Sequence, residues 1–260
     1  MRRAALVLGL ALLPLGAGAA EVEPISPERA GAATGAATVG PGAVQLEAGV
    51  AYGRERIAAA PTERRFGVEL AVRLGLTERL DVGFIGQPVV VQHDGENVTD
   101  HGDFSLTAKY RFLDAREDSW LPSLAVLPFV TLPVNEPPLG SGKTDVGVLL
   151  VASFGLPARF NLDLNAGLVA VGQSRPSGYL LQGIVAAGLS RDLTDRITLF
   201  SDLFYVSRDE RDGRDRVALD AGVMVRPTPI VALDASVVTT LAGSGPEWTL
   251  RGGVSVRFGR

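Results

Sequence analysis

The clearest pattern in the chain lies between Arg64 and Gly86. Alternate residues Phe66, Val68, Leu70, Val72, Leu74 and Leu76 are apolar, whereas Arg65, Gly67, Glu69, Ala71, Arg73 and Gly75 between them are charged or small. A period of two describes a strand with one apolar face. After Thr77-Glu78-Arg79 the alternation restarts, with Leu80, Val82 and Phe84 on one side and Asp81, Gly83, Ile85 and Gln87 on the other. This is a hairpin with a tight polar turn. Alternation alone does not say whether the apolar face meets a protein core or a bilayer.

The same alternation predicts twelve strands, over residues 43–54, 64–76, 79–91, 102–113, 120–132, 145–156, 159–172, 179–191, 196–207, 215–226, 230–241 and 247–258. The connections after the even strands are mostly short: Thr77-Glu78, Asp114 to Ser119, Pro157-Ala158, Asp192 to Asp195 and Pro227 to Pro229. Those after the odd strands are generally longer: Glu55 to Glu63, Gln92 to His101, Pro133 to Thr144, Gln173 to Gly178, Arg208 to Arg214 and Ala242 to Pro246. An up-and-down barrel in an outer membrane has this arrangement, with turns in the periplasm and loops outside. The Greek-key crossovers of a soluble sandwich mix both lengths at both ends.

Strand length agrees, since about twelve residues at ~3.3 Å each, tilted by ~40°, cover the apolar band of ~25 Å. Aromatic placement also agrees. Tyr52, Phe66, Phe104, Tyr179, Tyr205 and Trp248 fall at the loop end, and Tyr110, Phe112, Trp120, Phe160 and Phe258 at the turn end, as two interfacial girdles. The fold class expected is therefore all-β: a single up-and-down antiparallel transmembrane β-barrel of about 12 strands, of outer-membrane type.

Ahead of the strands, residues 1–20 read as a signal peptide: basic Arg2-Arg3, apolar Ala4 to Gly16, then small Ala17-Gly18-Ala19. The apolar run is short of the ~20 residues a spanning helix needs. Residues 21–42, rich in Ala, Gly and Pro and without a period, are expected as a flexible N-terminal segment, extended or partly disordered, and residues 43–260 as the barrel domain. The formal charge is −4, and removing Arg2 and Arg3 leaves 23 bases against 29 acids, about −6. No basic face recommends nucleic acid. The absence of cysteine excludes disulfides and thiolate metal sites and suits an exported chain.

With the apolar face turned to lipid, the other face lines the lumen. Its candidate lining residues are Glu47, Glu69, Arg73, Asp81, Lys109, Arg111, Asp163, Asp202, Asp220, Arg226, Asp234 and Arg251, beside Gln45, Asn161, Asn165, Arg216 and Arg257. Acids and bases in a confined space are costly unless paired, so salt-bridge ladders between neighbouring strands are expected. Gly and Ala at other lumen positions leave room along the axis, and twelve strands predict a narrow polar pore or a plugged one. These charges either line a solute path or simply hold the wall together.

Catalytic and cofactor chemistry is not indicated. Gly140-Ser141-Gly142-Lys143-Thr144 resembles the end of a phosphate-binding loop, but Pro137 occupies the place of the first glycine and no strand-loop-helix unit surrounds it. His93 and His101 share a loop with Asp94, Glu96, Asp100 and Asp103, a density that suits a divalent cation or, more commonly, a solvated acidic loop. Asn97-Val98-Thr99 is a glycosylation sequon by pattern only. No G-x-S-x-G elbow occurs, and both histidines lie in a loop, so a barrel lipid hydrolase is not expected and no catalytic, cofactor or metal residue is assigned.

The last strand, Arg251-Gly252-Gly253-Val254-Ser255-Val256-Arg257-Phe258, looks like the terminal-strand signal read by the barrel assembly machinery, with Gly259-Arg260 following the aromatic. Short motifs along the mature chain add a wider likeness. They are Pro41-Gly42 with Gln45-Leu46-Glu47 and Gly49; Arg73-Leu74-Gly75-Leu76-Thr77-Glu78-Arg79-Leu80; Gly102-Asp103 with Ala108-Lys109-Tyr110-Arg111; Leu132-Pro133; and Leu193-Thr194-Asp195-Arg196 before Leu199 to Asp202. In their order the chain resembles the outer-membrane transporter family described as the MetA-pathway-of-phenol-degradation family. The family's Asp-Arg-Pro element near the N-terminus has a degenerate counterpart in Pro27-Glu28-Arg29. The resemblance implies an outer-membrane barrel and passage of small, including aromatic, compounds.

The expected function is a porin-like barrel of the bacterial outer membrane that admits small molecules through a narrow charged lumen. Its expected partners are outer-membrane lipid, the barrel assembly machinery through the C-terminal strand, and a small-molecule solute. Two alternatives stand beside it: a structural or surface-interaction barrel without a transport role, and a soluble periplasmic barrel binding an apolar ligand inside.

Overall fold

The computed structural model describes residues 24–29, 31–56, 62–116, 120–136, 139–174 and 176–259. The expected signal peptide lies outside them. The strands are β1 (Val44–Glu55), β2 (Glu63–Thr77), β3 (Leu80–His93), β4 (Asn97–Asp100), β5 (Phe104–Leu113), β6 (Ser123–Leu132), β7 (Asp145–Leu156), β8 (Phe160–Ser174), β9 (Ser177–Asp192), β10 (Ile197–Val206), β11 (Arg216–Thr228), β12 (Val231–Gly243) and β13 (Trp248–Phe258). Each pairs antiparallel with its chain neighbour, except that β3 pairs with both β4 and β5. β1 closes the ring on β13, with Gly49 opposite Gly253. Twelve strands form the wall. The short β4 extends the outer end of β3 within the expected loop Gln92 to His101, with Val90 opposite Asp100 and His93 opposite Asn97.

The expected strand ends are met to within three residues. One expected long loop is shorter: Ser174 pairs with Ser177, so the β8–β9 hairpin rises as strand where a loop from Gln173 to Gly178 was expected. Prolines mark the local faults. Opposite Glu69, β3 carries the extra residue Gln87-Pro88 as a bulge, and the β5–β6 ladder skips Ala108 and Lys109 where Pro128 has no N–H to offer.

The faces sort as the alternation requires. Leu150 is 59% and Leu181 67% exposed, whereas Glu47 and Asp220 are 0% exposed, so the barrel is apolar outside and polar within. Tyr52 and Trp248 touch at the loop end with centroids 5.8 Å apart, and Tyr110, Phe112 and Phe258 stand exposed at the turn end. A closed wall with an exposed apolar band and ionised groups inside is stable only in a bilayer, and barrels of this kind belong to the outer membrane. The chain is an outer-membrane β-barrel. The soluble alternative fails, because such a barrel would turn its charged faces to water.

Candidate functional site

The lumen is not empty. Residues 24–42, expected to be extended or partly disordered, fold back into it ahead of β1. Ala36, Val39 and Ile25 are almost fully buried there. The segment has no strand partner, so its backbone groups must find partners on the wall. Wall side chains all round the barrel supply them.

Ile25 starts the path, its N–H donating to the Pro229 carbonyl at 2.7 Å while Arg226 Nε donates to the Ile25 carbonyl at 3.3 Å. Glu47 then accepts the N–H groups of Glu28, at 3.0 Å, and Arg29, at 2.8 Å. Across the lumen Asp202 accepts those of Ala32, at 2.6 Å, and Ala33, at 3.0 Å. Asn165 accepts from the Thr34 N–H and donates to the Thr34 carbonyl, both at 2.8 Å, and Ala36 donates to Ser153 Oγ at 2.8 Å, itself bonded to Asp163. Asp81 accepts the Val39 N–H at 2.9 Å, and Gly42 donates to the Gly75 carbonyl at 2.8 Å before β1 begins. Gly75 has to be glycine, since a Cβ would overlap the Val39 and Gly40 carbonyl oxygens.

Two side chains of the segment complete the fastening. Glu28 pairs with Lys109 and with Arg73, the latter at 2.7 Å. Arg29 reaches Glu69 at 3.0 Å and also bonds Asp234, in a recess between Gly49 and Gly253 where a Cβ on either glycine would strike its guanidinium. Lys109 also donates to the Gly35 carbonyl at 2.7 Å. Hydrogen bonds to charged groups are worth about 1.5–3 kcal/mol each, and a buried charge without a partner costs several. The wall charges and the segment therefore need each other.

This changes the expected salt-bridge ladders. Arg73 does join its neighbouring strands, at 3.3 Å from Asp81 and 4.0 Å from Glu47. Other interior pairs skip a strand: Arg251 lies 3.2 Å from Glu69 and 3.7 Å from Asp220, and Arg226 lies 3.7 Å from Asp192. Asp202 and Asp220 stand directly opposite each other on β10 and β11, a like-charge pair accommodated because one binds the segment and the other faces Arg251. Arg111 stays at the turn end, 2.8 Å from Asp114, without a bond to the segment among those described. Glu28 and Arg29 were absent from the candidate residues; their sequence signal is the Pro27-Glu28-Arg29 element.

The segment divides the lumen. An inner cavity of about 410 Å³ is bounded by Ser26, Pro27, Gly31, Ala33, Gly35 and Ala37 of the segment and by turn-end wall residues. An outer cavity of about 880 Å³ has no lining residue from the segment. Its walls include Phe129, Val169, Val171, Ile184 and Val206, with Gln173 and Gln182 among them and Asp145, Asp209, Glu210, Arg211 and Asp212 towards the loops. Among the described residues no group of three or more His, Asp or Glu side chains is placed to hold a metal. His93 Nδ1 lies 2.8 Å from Asn97 Oδ1 and His101 Nδ1 lies 3.0 Å from the Gly102 carbonyl.

A family model described as "Putative MetA-pathway of phenol degradation" matches residues 28–258, taking in Glu28, Arg29 and every wall strand. The chain belongs to this family. The match takes in most of the segment as well as the barrel. In fold the chain is similar to the COG4313 outer membrane channel from Pseudomonas putida F1, at 15% identity and a TM-score of 0.70 over 90% of this chain and 100% of that one. It is also similar to the NanC porin, at 11% identity and a TM-score of 0.57 over 82% and 98% of the two chains. A third likeness is to the translocator domain of the autotransporter NalP from Neisseria meningitidis, at 15% identity and a TM-score of 0.50 over 85% and 90%. No curated protein sequence matches the chain.

Proposed function

We propose that the barrel admits small molecules across the outer membrane through a lumen that the N-terminal segment narrows. The observation that carries this is the division of the lumen into an outer cavity of about 880 Å³ and an inner one of about 410 Å³ on the far side of a fastened segment. Small-molecule sites commonly occupy ~300–1,000 Å³ and combine apolar walls with a few polar groups. Phe129, Val169, Val171 and Ile184 with Gln173 and Gln182 provide that mixture here. The family's description, which names phenol degradation, favours compact aromatic solutes, and the channel and porin named among the fold relatives favour passage over surface binding alone.

In this reading residues 1–20 are a leader, residues 21–42 the lumen segment and residues 43–260 the wall, whose inner charges select solutes and anchor the segment. The C-terminal strand carries the assembly signal: β13 closes the seam with β1 and presents Phe258 on the outer face. The test is single-channel recording in a planar bilayer with phenol on the loop side. Phenol is expected to interrupt the ion current in proportion to its concentration, and a sugar of similar size is expected not to. Equal interruption by both, or by neither, contradicts the proposed solute class.

A further inference from the structure

Charged residues on the wall strands face inward by alternation, with few exceptions among the described residues. Arg191 faces outward at the turn end, over the Phe160 ring at 5.0 Å. The others gather at the loop end on three adjacent strands. Arg54 of β1 stands directly opposite Arg64 of β2, and Arg64 directly opposite His93 of β3. All three share the face of Tyr52, Phe66 and Val91, one step further from the middle of the bilayer. Side chains directly opposite on neighbouring strands have Cβ atoms about 4.5–5.5 Å apart, and like charges so placed repel.

Among the described residues no acidic side chain neutralises the two arginines. Neither guanidinium makes an ion pair or hydrogen bond among the described residues, and Arg54 Nε is buried without a partner. Glu55 and Glu63, the next residues along, pair across the strands on the opposite face. Glu247 is taken by Arg56 at 3.5 Å. The loop residues 57–61 are Ile-Ala-Ala-Ala-Pro and bring no acid. Two unpaired guanidiniums side by side form a fork suited to phosphate oxygens.

We infer that Arg54 and Arg64, flanked by His93, bind the phosphate of a phosphorylated lipid in the outer leaflet. The position selects a lipid over free phosphate. Trp248 stands directly opposite Arg54 on β13, Tyr52 and Phe66 lie one step nearer the middle of the bilayer, and Val50 and Phe66 offer exposed apolar surface on which acyl chains can lie. His93 is steadied by Asn97, 2.8 Å from its Nδ1. The charge, the spacing and the depth match a headgroup phosphate whose chains continue down the wall.

Native mass spectrometry of the full barrel in detergent tests this, with a bisphosphorylated diglucosamine lipid, its dephosphorylated form and inorganic phosphate as separate probes. The unaltered barrel is expected to retain the phosphorylated lipid at least about tenfold over the dephosphorylated one, as two charge-assisted contacts imply. Arg54→Gln with Arg64→Gln is expected to bring that ratio to within about twofold, whereas Arg191→Gln leaves it unchanged. Each variant is checked for the heat-dependent gel shift of a folded barrel. If the double variant does not fold, the ratio for the unaltered barrel and for Arg64→Gln alone decides. Equal retention of the two lipids, retention undiminished in a folded double variant, or displacement by an equal concentration of inorganic phosphate overturns the inference.

Discussion

Asn165 on β8 holds Thr34 by both ends of one residue, its Oδ1 accepting the Thr34 N–H and its Nδ2 donating to the Thr34 carbonyl, each at 2.8 Å. The grip reads the backbone and ignores the side chain. Asn165→Leu removes both bonds and leaves the Thr34 peptide groups facing an apolar surface, a loss of about 1–3 kcal/mol. The released fraction of the segment should rise roughly fivefold to a hundredfold. Trypsin cleavage after Arg29 in the micelle-embedded barrel measures this, and the variant is expected to be cut faster while keeping its heat-dependent gel shift.

Arg29→Lys should behave much like Arg29→Ala. A lysine cannot present two forked donors to Glu69 and Asp234 at once, and either change leaves a carboxylate inside the barrel short of its partner. Breaking a buried pair costs about 3–5 kcal/mol. Gly253→Val reaches the same end from the other side, by filling the recess that the guanidinium occupies. All three variants are expected to raise single-channel conductance, and a Gly253→Val barrel with the conductance of the unaltered protein contradicts this role for the recess.

The wall was legible because lipid enforces a simple rule. Every second residue of a strand such as β2, from Phe66 to Leu76, must be apolar, and the turn after Thr77 must be polar. The segment obeys no such rule. Residues 31–37, Gly-Ala-Ala-Thr-Gly-Ala-Ala, have no period, and what orders them is the match of their N–H groups to Asp202, Asn165 and Ser153, residues far apart in sequence. Their small side chains let them lie against a crowded wall but look like a linker when read alone. The interior charges were visible as a set. Their partners were not, because pairs such as Arg251 with Glu69 skip a strand and Arg29 joins from outside the strand pattern.

Gly75→Ala tests where the segment is rooted. The added methyl meets the Val39 and Gly40 carbonyl oxygens, which are backbone and have little room to yield. The hydrogen bonds between Gly42, Ala43 and Gly75 should weaken together. Amide exchange is expected to quicken at Val39 and Gly42 while remaining unchanged on the opposite wall at Leu203. Equal exchange in variant and parent contradicts the contact.

On the outer loops, Asp215 accepts the Tyr205 hydroxyl at 2.7 Å and the Arg208 N–H at 3.0 Å. These bonds, that of Tyr205 foremost, hold its carboxyl below the usual carboxylate range. A folded-state value below the unfolded one means the contribution is present above the ordinary aspartate value of ~3.9 and is lost as pH falls through the lower, folded value. The contribution of this one contact is thus constant near neutrality. Tyr205→Phe should move the Asp215 titration up towards ~3.9, read by carboxyl carbon NMR. An unmoved titration removes the hydroxyl as the cause.

The central claim is that the segment narrows the lumen, and conductance tests it most directly. The refolded barrel is compared in a planar bilayer with a chain lacking residues 21–40, both carrying the heat-dependent gel shift. The account predicts small, infrequent steps from the full chain and steps several-fold larger from the shortened one. Equal conductance from the two would show that the segment does not obstruct the path.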